Sequence, residues 1–257
     1  MTATKVSIRD RVIGWAKALL PPRARAWVVA QQREHRLQWP RQGSVNFGDF
    51  RRVTPISAIF GMDRGLVIDR YYIESFLKQN AADIRGRALE LGDAFYINKF
   101  GTAVEQADVL NVVESADATI IADLTDADHV PSNSFDCIIF TQSLQMIYDL
   151  KVALHTLHRI LKPGGVLLLT SHGISKIGRR LGRDAWGEYW HITTQSAEAL
   201  FAETFPGAQV DVSSYGNVLA AMCFLHGLAA EELTSEELDH CDPDFEVLVT
   251  VRARKAI

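Results

Sequence analysis

The 257-residue chain has few cysteines and no long apolar segment. Cys137, Cys223 and Cys241 show no Cys-x-x-Cys spacing, which argues against a disulfide framework or zinc cluster and favours a reducing, cytoplasmic location. The longest apolar stretch, residues 217–230, is shorter than the ~20 residues that a membrane-spanning helix needs. Because the N-terminus lacks an apolar core segment, we also expect no signal peptide.

An overall excess of positive charge is also missing. The net charge is -4, which argues against a nucleic acid as partner. Residues 1–52 nevertheless carry 11 Lys/Arg and 3 Asp/Glu, so an acidic body follows a basic arm. We predict a helical arm and Gly-rich lid over residues 1–65 and a separate domain over 66–257. The arm is expected either to contact a membrane surface or partner, or to pack as a solvated helix on its own domain.

From residue 87 onward, short apolar runs alternate with helical patterns. We predict strands at about 87–91, 107–112, 118–122, 135–140, 166–170, 208–213 and 245–252, with helices at 149–161 and 195–205. Another helix is predicted to begin near Asp69 as its N-cap. Continuous apolar runs such as residues 137–140 are typical of strands buried on both faces. The pattern therefore predicts an α/β fold with a doubly wound, mostly parallel sheet.

Acidic residues and one glycine lie near the predicted strand ends. Glu90 and Gly92 close the first strand, Asp108 begins the second run 18 residues later, and Asp123 follows the third. Because ligands of such sheets bind beyond the carboxyl ends of the strands, this order predicts a cofactor that contains a nucleoside. Any one of these acids alone is more often a turn former or helix cap.

The loop after the first strand lacks the G-x-G-x-x-G pattern of nicotinamide enzymes. Residues 92–97 read GDAFYI, with one glycine and the added carboxylate of Asp93. An acid there repels a pyrophosphate but tolerates a cofactor with cationic sulfonium and ammonium groups. An oxidoreductase is therefore the weaker alternative.

Several motifs resemble class I S-adenosylmethionine-dependent methyltransferases. They are RALELG at 87–92, ADL at 122–124, SFDCII at 134–139 and LHRILKPGG at 157–165. Residues 69–72 (DRYY) and 186–190 (WGEYW) are similar to bacterial methyltransferases associated with glycosyltransferases and with polysaccharide or natural-product genes. The resemblance implies a Rossmann-like, seven-stranded sheet with an antiparallel last strand, and S-adenosylhomocysteine as product.

The resemblance also implies positions around the cofactor. Glu90, Gly92 and Asp93 would lie beside its methionine part, Asp108 and Val109 at the ribose, Asp123 and Leu124 at the adenine, and Thr141 and Gln142 at the sulfonium. Arg70 and Tyr71 would cover the cofactor from the N-terminal helix, or form an ordinary ion pair at the helix start. Ala94 and Tyr96 replace later glycines of the usual GxGxG loop. This departure keeps open a degenerate binding or scaffold protein in a biosynthetic complex.

Candidate acceptor residues follow the fourth and fifth strands or lie in the lid. His172 and His191 are candidate general bases for O-methylation of a small molecule or a sugar or glycan intermediate, or else structural histidines. Trp186, Tyr189 and Trp190 could stack on the acceptor or close the core. Arg51 and Arg52 could hold an anionic group of the acceptor. We expect no metal, because the HxxH pair His155 and His158 lacks further ligands.

Overall fold

The computed structural model describes residues 20–35, 40–178 and 187–257, without the side chains of Gln32 and Arg33. The chain divides into two compact units, residues 1–53 and 54–257. The predicted boundary at residue 65 lies inside the second unit. In the first unit, helix α1 spans Pro22–Glu34 and a 3₁₀ turn spans Gly48–Phe50.

The second unit contains the alternating strands and helices that the sequence predicts. Its helices are α2 (Ile68–Gln79), α3 (Phe95–Phe100), α4 (Leu150–Ile160), α5 (Thr194–Thr204), α6 (Val218–His226) and α7 (Ser235–Asp239). Its strands are β1 (Arg85–Leu91), β2 (Ala103–Asn111), β3 (Ile120–Ile121), β4 (Phe135–Thr141), β5 (Leu161–His172), β6 (Gln209–Tyr215) and β7 (Leu248–Arg254).

The strands form one seven-stranded sheet in the order β3-β2-β1-β4-β5-β7-β6. Strands β1 to β5 pair in parallel, and β7 is antiparallel to both β5 and β6. This confirms the predicted Rossmann-like fold and its antiparallel last strand. The strand order reverses between β1 and β4, which is where ligands bind in open α/β sheets.

Burial explains why these segments form the centre of the sheet. In β4 and β5 the side chains of Ile138, Ile139, Leu167 and Leu168 are fully buried, as expected for strands covered on both faces. Helix α4 ends directly before β5, at the KPGG turn. The ammonium of Lys255 donates to the carbonyl oxygens of His158 and Leu161, so orphan acceptors at the helix end are satisfied.

The irregular segment 54–65 packs on α6. The backbone N–H groups of Ile56 and Ser57 both donate to the carbonyl of His226. Phe60 has a left-handed φ of 64°, which is unusual for a bulky residue, and its ring lies 3.8 Å below the Lys176 ammonium. Among the described residues, no helix is long and apolar enough to cross a bilayer.

The start of α2 differs from the sequence-based expectation. Val67 is the N-cap and makes no side-chain cap, while Asp69 is the second residue of the helix. The prediction that Asp69 caps the helix is therefore wrong. Its carboxylate lines a cavity beside Gln142, at the carboxyl end of β4.

Asp136 joins three central strands at their amino ends. One carboxylate oxygen accepts from the Arg87 N–H at 2.9 Å and from the Lys162 ammonium at 2.6 Å. We expect Asp136→Ala to lower the free energy of unfolding by ~1–3 kcal/mol, because the Arg87 donor loses its partner. Glu203→Ala removes the exposed ion pair to Lys151 and should cost less than ~1 kcal/mol. Urea unfolding of both variants tests this, and equal losses would contradict it.

Candidate active site

A cavity of about 790 Å³ lies beyond the carboxyl ends of β1, β4 and β5. The strand ends, the first turn of α2 and the segment 54–65 form its walls. Its lining includes Ala58, Ile59, Phe60, Met62, Asp69, Arg70, Glu90, Gly92, Asp93, Tyr96, Thr141, Gln142, Gln145, Met146, His172, Lys176, Glu188 and Phe224. The structure thus brings Arg70, Glu90, Gly92, Asp93, Thr141, Gln142 and His172 together.

Glu90 shapes the loop between β1 and α3. Its buried carboxylate accepts from the N–H groups of Tyr96 at 3.1 Å and Ile97 at 2.8 Å, in the first turn of α3. Burial raises the pKa of Glu90 to about 7, although these two hydrogen bonds oppose the shift. Gly92 has a φ of 90°, so the tight turn predicted there does require glycine. Ala94 and Tyr96 occupy the positions of the later glycines in the GxGxG motif. There the chain forms the first turn of α3, and Glu90 stabilises that turn.

The loop residues also position Arg70. Its guanidinium donates to the Tyr96 hydroxyl at 2.8 Å and faces the cavity. Asp93 accepts from the Phe95 N–H at 2.9 Å in a local turn. Tyr71 does not line the cavity, because its hydroxyl donates to Asp239 at 2.8 Å. The expectation that Tyr71 covers the cofactor stays a prediction.

Asp69 is a cavity residue that sequence reasoning assigned only to helix capping. Its Oδ2 accepts from the Gln142 amide at 3.4 Å, while Oδ1 is buried without a hydrogen-bond partner. Gln145 donates to Gln142 at 3.0 Å and accepts from Ser171 at 3.0 Å. Burial raises the pKa of Asp69, and neighbouring Arg70 opposes that shift. The DRYY motif, in which Asp69 directly precedes Arg70, was the sequence feature that could have indicated a binding role for Asp69.

Asp108 is not at the end of its strand. Strand β2 continues to Asn111, and Asp108 is buried opposite Leu89. Its carboxylate accepts from Arg87 at 2.7 Å and from Gln106 and Thr119. Val109 packs within the same strand, and neither residue lines the cavity. β2 begins at Ala103, earlier than the predicted start near residue 107, so Asp108 lies inside the strand. The ribose contact by Asp108 and Val109 stays a prediction.

Asp123 and Leu124 also lie outside the cavity lining. The Asp123 carboxylate accepts from the N–H and the hydroxyl of Thr125, both at 2.8 Å, which is a local turn. Leu124 is buried in the main hydrophobic core. The adenine contact predicted for Asp123 and Leu124 stays a prediction.

A buried carboxylate joins the two candidate catalytic histidines. Glu188 Oε1 lies 2.7 Å from His172 Nε2 and 3.5 Å from His191 Nε2, and Oε2 accepts from the Gly178 N–H. Burial lowers the pKa of His172, and Glu188 opposes that shift. His172 lines the cavity, whereas His191 is exposed and is not among the lining residues. Sequence reasoning missed Glu188, although it lies within the WGEYW motif.

Two predicted acceptor residues belong to an exposed aromatic cluster of Tyr148, Tyr189 and Trp190. The ring centroid of Tyr148 lies 5.4 Å from that of Tyr189 and 6.0 Å from that of Trp190. All three are at least 37% exposed, so they do not close the core. The Tyr189 N–H donates to the carbonyl of the cavity residue Gln145. Trp186 lies outside the described residues.

Arg51 and Arg52 belong to the first unit, directly after its 3₁₀ turn. Both are exposed, and the Arg51 guanidinium lies 5.2 Å from the Phe47 ring centroid. Their predicted contact with the acceptor stays a prediction.

Residues 90–169 match a family model described as a methyltransferase domain. Similar solved structures include an S-adenosylmethionine-dependent methyltransferase from Mesorhizobium loti (19% identity, TM-score 0.46), whose whole chain aligns with 76% of this one. The [4+2]-cyclase SpnF has 17% identity and a TM-score of 0.48, covering 76% of this chain and 85% of its own. A Haemonchus contortus N-methyltransferase, solved with S-adenosylhomocysteine, has 15% identity and a TM-score of 0.43, covering 78% and 61%. No curated protein matches the chain.

The domain match, strand order and cavity together define the class of protein. The chain carries a methyltransferase domain and is a methyl-transferring enzyme whose cofactor is S-adenosylmethionine. The cavity fits that cofactor, because its wall holds both the cationic Arg70 and the unpartnered Asp69 Oδ1. An amino-acid group, which carries one charge of each sign, suits such a wall.

Glu90 and Asp108 should give opposite dependences of stability on pH. The folded pKa of Glu90 lies above its unfolded value, so its stabilising contribution is full below pH ~4.5 and lost as pH rises through about 7. Burial acts to raise the pKa of Asp108, but hydrogen bonds from Arg87, Thr119 and Gln106 outweigh it and lower the pKa. The contribution of Asp108 is therefore lost as pH falls.

Urea unfolding of wild type, Glu90→Gln and Asp108→Asn between about pH 2 and 8 measures these dependences. The stability of wild type relative to Glu90→Gln should decline as pH rises from about 4.5 to 7. Its stability relative to Asp108→Asn should increase as pH rises toward about 4 and then stay level. Parallel curves for the two variants would contradict the assignment.

Proposed function

We propose that the enzyme transfers a methyl group from S-adenosylmethionine to a hydroxyl oxygen of a small molecule or a sugar or glycan intermediate. The observation that carries the proposal is the His172 imidazole on the cavity wall. Its Nε2 is held by buried Glu188, and its Nδ1 makes no hydrogen bond among the described residues. Such an imidazole has one nitrogen oriented and the other available as a base.

The bound cofactor would supply the methyl group as a sulfonium electrophile, held by Arg70, Gly92, Thr141 and Gln142. His172 Nδ1 would accept the proton of the acceptor hydroxyl as the hydroxyl oxygen bonds to the methyl carbon. The bond between methyl carbon and sulfur would break in the same step, and S-adenosylhomocysteine would leave. Glu188 stabilises the resulting imidazolium through Nε2–H. Because burial keeps the pKa of His172 below its ordinary value, the neutral base predominates at pH 7.

The aromatic cluster supports an acceptor with a ring that stacks. Tyr189 directly follows Glu188, and Tyr148 lies two residues after the cavity residue Met146, so the cluster borders the cavity. Exposed aromatic faces pack on sugar rings and planar molecules. The DRYY and WGEYW motifs add an association with polysaccharide or natural-product biosynthesis. The proposal includes a cytoplasmic location, which the three free cysteines favour.

A methyl-transfer assay tests the proposal directly. The enzyme is incubated with methyl-labelled S-adenosylmethionine and a panel of phenols, sugars and nucleotide sugars, and products are identified by mass spectrometry. An O-methyl ether is expected. Methylation only at nitrogen or carbon would contradict the proposed acceptor atom. Absence of both transfer and cofactor binding would favour the scaffold alternative.

Replacing His172 or Glu188 should alter the rate and its pH dependence. His172→Ala should lower kcat by roughly 10²–10⁴-fold. Glu188→Gln removes the charge that raises the pKa of His172, so the acid limb of kcat/KM should move to lower pH. His155→Ala, on the exposed face of α4, is the control.

An unchanged kcat in His172→Ala would show that catalysis needs only the alignment of acceptor, methyl group and sulfur, without a general base. Ligand atoms of His172, Glu188 and His191 also lie within 4.8 Å of one another, a spacing that a metal ion could bridge. Activity lost in EDTA and restored by zinc would therefore assign these side chains to a metal instead of a base.

The aromatic cluster should govern acceptor affinity rather than chemistry. We expect Tyr189→Ala and Trp190→Ala each to raise the KM for the acceptor by about fivefold, since a lost aromatic contact is worth ~1 kcal/mol, with kcat little changed. Steady-state kinetics measures both constants, with exposed Trp27→Ala as a control. An unchanged KM in both variants would remove the cluster from the acceptor site.

A further inference from the structure

The carboxylates that line the cavity differ in whether both of their oxygens have a hydrogen-bond partner. Both oxygens of Glu90 accept from α3, and both oxygens of Glu188 have partners. Among the described carboxylate oxygens, Asp69 Oδ1 is the buried one that lacks a partner. Buried carboxylate oxygens are almost always hydrogen-bonded, so this atom indicates a donor supplied from the cavity.

Two separate contacts hold Asp69 and the adjacent Arg70 over the point where the strand order reverses. Gln142 at the end of β4 donates to Asp69 Oδ2, and Arg70 donates to the Tyr96 hydroxyl on α3. Arg70 uses Nη1 for that bond, which leaves further N–H donors for a ligand carboxylate. An acceptor and a donor of opposite charge are therefore fixed side by side on the cavity wall.

An α-amino acid group presents the complementary pair, an ammonium and a carboxylate on one carbon. We propose that Asp69 Oδ1 accepts a hydrogen bond from the α-ammonium of the cofactor, while Arg70 binds its α-carboxylate. The inference rests on the proposed function for the cofactor's place in this cavity. It adds Asp69 as a binding residue and makes DR at 69–70 the clamp for the amino-acid end.

The clamp is tested by calorimetric titration with three ligands. S-adenosylhomocysteine carries both groups, its deaminated analogue lacks the ammonium, and 5′-methylthioadenosine lacks the whole amino-acid end. Asp69→Asn should weaken S-adenosylhomocysteine binding at least tenfold and leave 5′-methylthioadenosine within twofold of wild type. Glu74→Gln, on the same helix in a surface ion pair with Lys99, should leave both affinities within twofold.

The deaminated analogue keeps the test valid if Asp69→Asn folds poorly. Wild type should bind it at least tenfold more weakly than S-adenosylhomocysteine, and Asp69→Asn should show no further loss. Equal affinity of wild type for these two ligands would overturn the clamp. So would an equal loss for all three ligands in a folded Asp69→Asn variant. If wild type binds neither S-adenosylhomocysteine nor 5′-methylthioadenosine, the proposed function fails together with the clamp.

Discussion

The hydrogen bonds from Tyr96 and Ile97 to the buried carboxylate of Glu90 determine the shape of the site. They tie the first turn of α3 to the end of β1 and give this loop its path without the usual glycines. Tyr96 then lies where its hydroxyl accepts from Arg70. The hydrogen bond between Arg70 and Tyr96 therefore positions the guanidinium on the cavity wall.

The cavity separates two kinds of chemistry. At one end Asp69, Arg70 and Gln142 offer charges and hydrogen bonds suited to holding an amino-acid group. At the other end Glu188 orients His172 in an environment whose burial keeps the imidazole neutral at pH 7. The first set would position a methyl donor, and the second would accept a proton from the acceptor.

Much of the fold could be predicted from sequence, because buried parallel strands leave continuous apolar runs and the KPGG turn marks where α4 ends. The strand ends were harder to predict. Residues 103–106 are mostly exposed and extend β2 at its start, so Asp108 lies inside the strand. Glu188 could not be assigned, because its contact with His172 depends on how the chain returns after β5. Asp69 fits a helix-capping pattern, but Val67 occupies the N-cap position and makes no side-chain cap.

A crystal structure of the protein with S-adenosylhomocysteine tests the central claim most directly. The account predicts the ligand beyond the ends of β1 and β4, with its sulfur on the side of Thr141 and Gln142 and its amino-acid group at Asp69 and Arg70. A ligand bound elsewhere on the chain, or in this cavity with its amino-acid group turned away from both residues, would contradict it.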